Sequence, residues 1–586
     1  MNELNEPTLS PAMPARAAGI LSRIHPTPGR LLAAGITAFV ILKLLASYYS
    51  PQVRIPMFGS NIRESFQIYQ FDNGYTEENS EYYAAYIDHD PRGHQTWELA
   101  FAAHDRFRLD FLGDGRIHFP GALTTITRSG LRQVTTNYRF EQKSLATHDL
   151  RLDAEDAFNY VAEDDPYIDM TLSGLPVESV STAYSVVPVL YVLGPILLVF
   201  FLYKIRRYLV EYRFTVAVVL CAFLFLTFVD LTLPYNHGPD EESHVYSGEW
   251  YLTHLAPPSM AYPVFYNGWG WNYVLGNPDL TYWLTFKLTH LIQAFQPLPL
   301  YKAARLGQLG ALFGLFLLVL RFTQPQVVWA FVLSAVLVPQ VAYTMTYVNG
   351  DVLSYFLSIA ALGILLAPRD LDSRIAIPIS FFVLCNTKQN YLVLLPVALY
   401  FLYREYGFKY WPYVVGGLAI GSYRRVFTLV DEHLVGRTFL QNALLHCKPR
   451  VRDRLLGGHL EWDILFRPDF YKTSFKSLYA LLGYLNFFFP WYFYVAGAVL
   501  AVLLFRANER RHRILIGGVF LVNLGMSLYF SMSMEYQPQG RYLFPTLVLL
   551  FLLSVTRIPV KRYLWFAIPT VLAVAHFWLT FLHDAR

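Results

Sequence analysis

Charged residues are scarce in this chain of 586 residues, since Asp, Glu, Lys and Arg together make up only 15% of it. Soluble domains carry about 25%, so the composition excludes a simple soluble protein. The three cysteines, Cys221, Cys385 and Cys447, lack the spacing of a metal site and the number for a disulfide framework. Lys and Arg are dispersed among short polar segments, which excludes a nucleic-acid-binding surface.

Long apolar runs recur along the chain. The chain is 54% hydrophobic and 17% aromatic. A run of about 20 apolar residues crosses a hydrocarbon layer of about 30 Å. The sequence therefore predicts a polytopic α-helical protein embedded in a lipid bilayer. The clearest runs are 31–48, 186–203, 214–233, 306–320, 327–343, 352–366, 495–505, 514–530 and 564–581.

The placement of Lys and Arg around these runs predicts an orientation. Residues 1–30 form a polar tail with three arginines. The first run lacks a clear cleavage site, so we interpret it as a retained anchor. Basic clusters recur after alternate runs, as at 204–213 and 506–513. Cytoplasmic loops carry the excess of positive charge. The pattern predicts about thirteen spans in a bacterial inner membrane, with the N-terminus inside and the C-terminus outside.

Four parts follow from this pattern: a cytoplasmic tail (1–30), an anchor (31–48), an exported domain (49–185) and a transmembrane domain (186–586). In the exported part, Phe107, Leu109 and Phe111 alternate with charged residues, and 113–115 is typical of a tight turn. This alternation predicts a jelly-roll-like β-sandwich, which we expect to rest over the membrane domain. Sugar binding and a purely structural role are both open, because fold does not give function.

The densest group of ionisable residues comes directly after the run 214–233. Asp240, Glu241 and His244 lie there, at the expected end of a membrane helix. Ionisable groups at such a place are costly unless they are paired or functional. A carboxylate there can take a proton from a hydroxyl group. Asp240 and Glu241 are therefore the candidate catalytic residues.

Three further motifs fall on the same predicted face. They are Asn349-Gly350-Asp351, Lys388-Gln389-Asn390-Tyr391 and Gln539-Gly540-Arg541-Tyr542. Lys and Arg can stabilise the charge on a departing phosphate. The candidate substrate-binding residues are therefore His244, Arg305, Asp351, Lys388, Gln539, Arg541 and Tyr542.

Simpler interpretations of these residues stay open. Asp240 and Asp351 both precede helical runs, where a carboxylate commonly caps a helix. Lys388 and Arg541 lie where basic side chains commonly anchor a span at the membrane surface. His244 can orient a neighbour by a hydrogen bond as readily as it can carry a proton. The sequence leaves open on which side of the membrane Arg424 and Arg425 lie.

Taken in order, these motifs resemble those of the GT-C superfamily of polytopic glycosyltransferases. The closest likeness is to bacterial members with Pro-Asp-Glu-Pro-x-His and Gln-Gly-Arg-Tyr motifs, and it runs from Phe214 to the C-terminus. Glu242 stands where those members have the second proline. The resemblance implies a polyprenyl-phosphate-linked sugar donor and inverting transfer to a glycan or glycolipid acceptor at the periplasmic face. It also implies that Asp240 is the general base or a metal-linked carboxylate, and that Glu241 is the second acid.

Two other functions fit parts of the pattern. An O-antigen polymerase or ligase would use arginines of a large late loop, and the segment 428–487 carries Arg437, Arg450, Arg452, Arg454 and Arg467. A lipid-linked glycan transporter or flippase would show internal repeats and charges at mid-membrane depth. We expect no required metal, although Asp240 and Glu241 offer the oxygen ligands that Mg²⁺ or Mn²⁺ prefers.

Reporter fusions test the predicted orientation. Fusions after Ser185, Pro257 and Ser533 should report export, and fusions after Arg207 and Arg511 should report the cytoplasm, as the basic clusters require. A cytoplasmic signal after Pro257 would contradict the shared face of the four motifs, since it would separate Asp240 from Arg541 by the bilayer.

Overall fold

The computed structural model describes residues 28–49, eleven strands between 52 and 184 with the turn 130–131, residues 177–554 apart from short gaps, and 572, 575–576 and 579–580. These gaps are 234, 236, 261–270, 276–278, 297, 370, 448–451, 454–455, 457–459, 483–487 and 535. The predicted tail (1–30) lies outside the described residues except for 28–30, and the run 564–581 lies almost entirely outside them.

Strands fill the segment between the first two helices. They are β1 (Gln52–Ser60), β2 (Phe66–Gln70), β3 (Ser80–Tyr83), β4 (His94–Ala100), β5 (Arg106–Phe111), β6 (Arg116–His118), β7 (Ala122–Ser129), β8 (Arg132–Arg139), β9 (Ala146–Leu152), β10 (Asn159–Thr171) and β11 (Val177–Tyr184). Their order is β11-β8-β7-β1-β6-β10-β5-β2-β3, with β4 paired to β1 and β9 to β10. The segment is β-rich, as the period-two pattern predicts, while its packing as a sandwich stays a prediction.

The pairing of β5 and β6 differs from the simplest interpretation of the sequence. A tight turn at 113–115 suggests a hairpin, yet both strands pair with β10. The turn itself lies outside the described residues. A true hairpin joins β7 and β8 instead, with Ser129 opposite Arg132. Its turn uses Gly130 at φ 58°, a conformation that glycine adopts without steric cost.

The helices number eighteen among the described residues. They are α1 (Pro28–Tyr49), α2 (Val187–Glu211), α3 (Arg213–Thr232), α4 (Glu241–Thr253), α5 (Leu280–Phe295), α6 (Leu300–Phe322), α7 (Pro325–Leu337), α8 (Pro339–Thr344), α9 (Gly350–Leu366), α10 (Ser373–Cys385), α11 (Leu394–Tyr406), α12 (Trp411–Gly421), α13 (Tyr423–Val435), α14 (Phe439–His446), α15 (Pro468–Tyr479), α16 (Trp491–Arg506), α17 (Arg510–Ser533) and α18 (Phe544–Ser554). Short 3₁₀ helices cover Gln389–Val393, Trp462–Phe466 and Gly540–Leu543.

Four of these helices are long and apolar enough to cross a membrane: Val187–Glu211, Thr215–Thr232, Leu300–Phe322 and Arg510–Ser533. Six shorter apolar helices accompany them within the described residues. The count of about thirteen spans therefore stays a prediction. The run 327–343 is not one continuous helix, because Pro339 begins α8 after a break at Val338. Proline cannot donate the backbone hydrogen bond that would continue α7.

The core of the membrane domain lies around α6, α7, α9 and α18, whose apolar side chains form one continuous buried cluster. Beside it, α10 and α12 run in the same direction. Gly417 lies against Pro378, and Gly421 lies against Cys385 near the end of α10. The side-chain amide of Asn386 donates to the Gly421 carbonyl at 3.3 Å. The ends of α12 and α10 therefore meet beside Lys388.

The close approach of α12 to α10 depends on Gly417. A Cβ atom there would lie 2.7 Å from the Pro378 Cα atom, whereas one at Gly416 would meet nothing within 4 Å. We expect Gly417→Ala to lower the free energy of unfolding by about 1–3 kcal/mol through overpacking. Gly416→Ala should leave it unchanged or raise it by up to about 1 kcal/mol, because alanine favours a helix.

Thermal unfolding of both purified variants in detergent, followed by size-exclusion chromatography, measures the difference. Equal midpoints for the two alanine variants would show that α10 and α12 do not pack at Gly417.

Candidate functional site

Asp240, Asp351, Lys388 and Arg541 come from four distant segments and form one cluster. The Arg541 guanidinium contacts the Asp240 carboxylate at 3.0 Å and lies 3.7 Å from the Asp351 carboxylate. The Lys388 ammonium contacts Asp351 at 2.8 Å. Two carboxylates and two cations thus alternate within one chain of contacts. This brings together the four motifs that the sequence placed on one face.

Asp240 occupies the position before α4 but does not cap it. Its side chain accepts no hydrogen bond from the helix backbone, and it turns to Arg541 instead. Its φ of 61° is the one positive value among the described non-glycine residues. Aspartate tolerates this left-handed conformation better than most residues. With 42% of its side chain exposed, Asp240 is the most accessible carboxylate of the cluster.

Asp351 is buried, and it does not cap the helix α9 in which it lies. The cap of α9 is Asn349, whose side-chain oxygen accepts from the backbone N–H groups of Asp351 and Val352 at 2.9 and 3.0 Å. The interpretation of Asp351 as the capping residue is therefore wrong. Its carboxylate is left to the two cations, and its Oδ2 atom makes no hydrogen bond within the described residues.

Arg541 is held in place by its own motif. The Gln539 side chain accepts from the Arg541 Nε atom at 2.6 Å. Gly540 approaches α15 so closely that a Cβ atom would lie 2.0 Å from the Leu478 backbone nitrogen. Only 8% of the Arg541 side chain is exposed. Its Nη1 atom is buried and makes no hydrogen bond of standard geometry within the described residues, and the buried Tyr347 hydroxyl interacts with the guanidinium group.

Lys388 reaches the cluster from the turn that follows α10. Its backbone N–H donates to Ser354 on α9 at 3.1 Å. Its ammonium group lies 5.7 Å from the centre of the Tyr542 ring. The Tyr391 hydroxyl donates to the Asp351 carbonyl at 3.1 Å. The Lys-Gln-x-Tyr and Gln-Gly-Arg-Tyr motifs therefore pack against each other and against the start of α9.

Glu241 has a different environment from its neighbour Asp240. It is fully buried, and both of its oxygens accept from Arg305, at 2.7 and 2.8 Å. It also accepts from the Val348 backbone N–H at 3.2 Å. Arg305 in turn donates to the carbonyl groups of Asp230 and Leu233 and contacts the His237 ring. Glu241 and Arg305 join the end of α3 to α4, α6 and the approach to α9.

Asp230 and His237 lie beside this pair but belong to none of the four sequence motifs. Asp230 lies in the apolar helix α3, is fully buried, and its side-chain oxygens make no hydrogen bond within the described residues. A carboxylate inside an apolar run is itself a signal of function or pairing. His237 precedes Glu241 by one helical turn, a spacing that places both on one side of the turn before α4.

His244 lies beside the cluster within an aromatic group. Its ring stacks on Tyr273 at 4.2 Å between centroids and hydrogen-bonds to the Tyr282 hydroxyl. Burial holds the pKa of His244 well below its usual value, and the positive charges of Lys388 and Arg541 lower it further. The imidazole is therefore neutral at pH 7 and suits orientation better than proton transfer. Burial raises the pKa of Tyr273, and the nearby charge of Asp240 adds to this.

That no divalent metal is required stays a prediction. No group of three or more His, Cys, Asp or Glu side chains among the described residues is placed to hold one. Asp240 and Glu241, the pair named for Mg²⁺ or Mn²⁺, each contact an arginine instead. A cation at either carboxylate would have to displace a guanidinium group.

Two arginines of the late segment, Arg437 and Arg467, have partners away from the cluster. Arg437 donates to the Met260 carbonyl at 3.0 Å, and Arg467 pairs with Asp463. Arg450 and Arg454 lie outside the described residues. The segment 428–487, predicted as a loop, holds α14, α15 and part of α13. The parallel packing of α12 on α10 places Arg425 at the same end of the helices as Lys388.

The buried ion pair of Glu241 and Arg305 makes a testable contribution to stability. Removing one partner leaves the other charge buried and unpaired, which costs about 3–5 kcal/mol. We expect Glu241→Gln to lower the thermal midpoint sharply. Asp372→Asn removes the partner of Arg374 in an exposed pair and should change it little. Similar midpoints for the two variants would contradict a buried Glu241.

Comparison with known proteins supports the membrane assignment. Residues 296–550 match a family described as a predicted membrane protein, DUF2142. The search of curated proteins found no match. The matched region begins before α6 and contains Arg305, Asp351, Lys388 and Arg541, while Asp240 and Glu241 precede it. Together with the four long apolar helices, the match makes this chain a membrane protein that is similar to that family over residues 296–550.

Proposed function

We propose that this protein is a glycosyltransferase that moves a sugar from a polyprenyl-phosphate-linked donor to a glycan or glycolipid acceptor. The observation that carries the proposal is an accessible carboxylate, Asp240, in contact at 3.0 Å with the guanidinium of a buried arginine, Arg541. The carboxylate suits a base for an acceptor hydroxyl. The guanidinium suits a phosphate oxygen, which would take the place of Asp240 at the Nη2 atom.

The transfer would proceed in one displacement. The acceptor oxygen forms a bond to the anomeric carbon of the sugar as its proton passes to Asp240. The bond from that carbon to the donor phosphate breaks, and the configuration inverts. The departing polyprenyl phosphate keeps the electron pair, and Arg541 and Lys388 stabilise its charge. The remaining acid, Asp351, is buried between these two cations and would hold them in place.

The ion pair between Asp240 and Arg541 fits a resting state. A donor phosphate that binds Arg541 would compete with Asp240 and release it toward the acceptor. Glu241 has no free oxygen for this chemistry, so we assign it to positioning Asp240 through Arg305 rather than to proton transfer.

The proposed setting is the periplasmic face of a bacterial inner membrane. Support comes from the alternation of basic clusters along the chain, which places the four motifs opposite Arg207 and Arg511. The β-rich segment between α1 and α2 would then be exported, as a sandwich over the membrane domain. Bonds at the end of α1 fit this arrangement, since the Tyr49 hydroxyl donates to the Gly130 carbonyl at 3.0 Å.

A lipid-linked glycan transporter is the second candidate, and Asp230 favours it. A buried carboxylate within an apolar helix is typical of a transport pathway. Turnover separates the two functions, since a transferase releases free polyprenyl phosphate from the donor and a transporter does not. An O-antigen polymerase or ligase is less supported, because Arg437 and Arg467 are engaged away from the cluster.

Substitutions at the cluster test the assigned roles. Asp240→Asn keeps the shape of the side chain but removes the base, so turnover should fall by about 10²–10⁴-fold while donor binding is retained. Lys388→Ala and Arg541→Lys should lower both turnover and donor affinity, because they weaken contacts to the phosphate. Release of polyprenyl phosphate from radiolabelled donors and donor binding to each monodisperse variant supply the two measurements.

Arg374→Ala, at an exposed ion pair, is the control and should match the unmodified protein. Near-normal turnover of Asp240→Asn would overturn the base assignment. Absence of polyprenyl phosphate release from the unmodified protein with every hexose and pentose donor tried would overturn the transferase proposal itself.

A further inference from the structure

One helix beside the cluster carries an apolar face that the protein does not cover. In α13, the side chains of Val426, Leu429, Val430 and Leu434 are exposed by 56%, 64%, 51% and 77%. Together with Tyr423 they fall within an arc of about 140° at 100° per residue. Exposed large apolar faces of this kind mark contact with a partner or a membrane.

The polar side of the same helix is fixed to the protein. The Asp431 carboxylate is buried and accepts from the Met260 backbone N–H at 2.9 Å and from the Ser259 hydroxyl. Glu432 accepts from the Phe439 backbone N–H at 2.7 Å. These bonds set the rotation of α13 about its axis. The apolar face therefore points away from the protein as a consequence of specific contacts.

The position of α13 identifies what covers this face. Only Ser422 separates α13 from α12, which is apolar and carries no charged residue. The Tyr423 ring stacks on Phe382 of α10 at 6.3 Å between centroids. Val415 and Ile420 on α12 are exposed by 52% and 61%. The apolar face of α13 thus continues the apolar outer surface of α12 and α10, which faces lipid in a membrane protein.

The charges of α13 keep it out of the hydrocarbon layer. Arg425, Asp431 and Glu432 lie on the other side of its thirteen residues, while His433 falls within the apolar arc near the end of the helix. Charged side chains are costly at the bilayer centre. A helix with one apolar face and one charged face is typical of the membrane interface. We propose that α13 lies at the bilayer surface, with this face in lipid, on the side of the membrane where Lys388 and Asp240 lie.

The place of α13 at the bilayer surface is independent of the proposed chemistry, and it sets the cluster at the level of the headgroups. Asp431 on α13 and Arg437 just after it both bind the backbone of Met260, in the segment that follows α4. Contact of α13 with lipid is therefore linked to the segment after α4, the helix that Asp240 precedes.

Fluorescence quenching by labelled lipids tests the proposal. A genetically encoded fluorescent amino acid replaces Leu434, and the full-length protein is placed in nanodiscs, one copy in each. The lipids carry a doxyl quencher either near the headgroup or near the end of the acyl chain. An interfacial apolar face lies about 5–10 Å into the headgroup boundary. Leu434 should therefore be quenched more by the shallow label than by the deep one.

Two exposed apolar residues serve as matched controls. Leu198, exposed by 54% near the middle of α2, should be quenched more by the deep label. Val177, exposed by 52% at the end of β11 that is farther from α2, should be quenched by neither. Quenching at Leu434 no greater than at Val177 would overturn the proposal and leave the face to a protein partner. Val430 supplies a second reporter if the Leu434 variant is not monodisperse, and the same comparison then decides.

Discussion

The buried ion pair of Glu241 and Arg305 is the interaction on which the candidate site depends. Moving two charges out of water is costly, and the cost is recovered only when hydrogen bonds satisfy the remaining donors and acceptors. Arg305 meets this condition, since it donates to both oxygens of Glu241 and to two carbonyl groups at the end of α3 and contacts the His237 ring. Because Glu241 begins α4, the pair fixes the turn that carries Asp240.

A balanced set of charges lies next to this fixed turn. Asp240 and Asp351 alternate with Arg541 and Lys388, so the formal charges of the four side chains cancel. The pairs differ in access to solvent, because Asp351 is buried while Asp240 is 42% exposed. A new anion at the site can therefore replace Asp240 at Arg541 more readily than it can replace Asp351. This asymmetry distinguishes the two carboxylates, although both motifs place an acid near the start of a helix.

The surroundings of the cluster connect it to the membrane. Lys388 follows α10, and α12 packs along α10 through two glycines, so α13 begins at the level of the site. Aromatic side chains form the other side, where the neutral His244 ring stacks on Tyr273. A charged cluster between an aromatic wall and an apolar helix surface suits a ligand with a polar head and a lipid tail, which is the kind of donor that we propose.

Local sequence determined the features that depend on neighbouring residues. Apolar runs, the period-two strands and the placement of charged motifs at helix ends are local, and each is readable from hydropathy or spacing. The tertiary structure decided which distant segments join. Both β5 and β6 pair with β10, and Glu241 pairs with Arg305. The Asn349 side chain caps α9, so the Asp351 carboxylate contacts Lys388 and Arg541 instead of the helix backbone. Contacts between Asp240 and Arg541 link residues that are 301 positions apart. Spacing along the chain holds no information about such a distance, because packing of the intervening helices sets it.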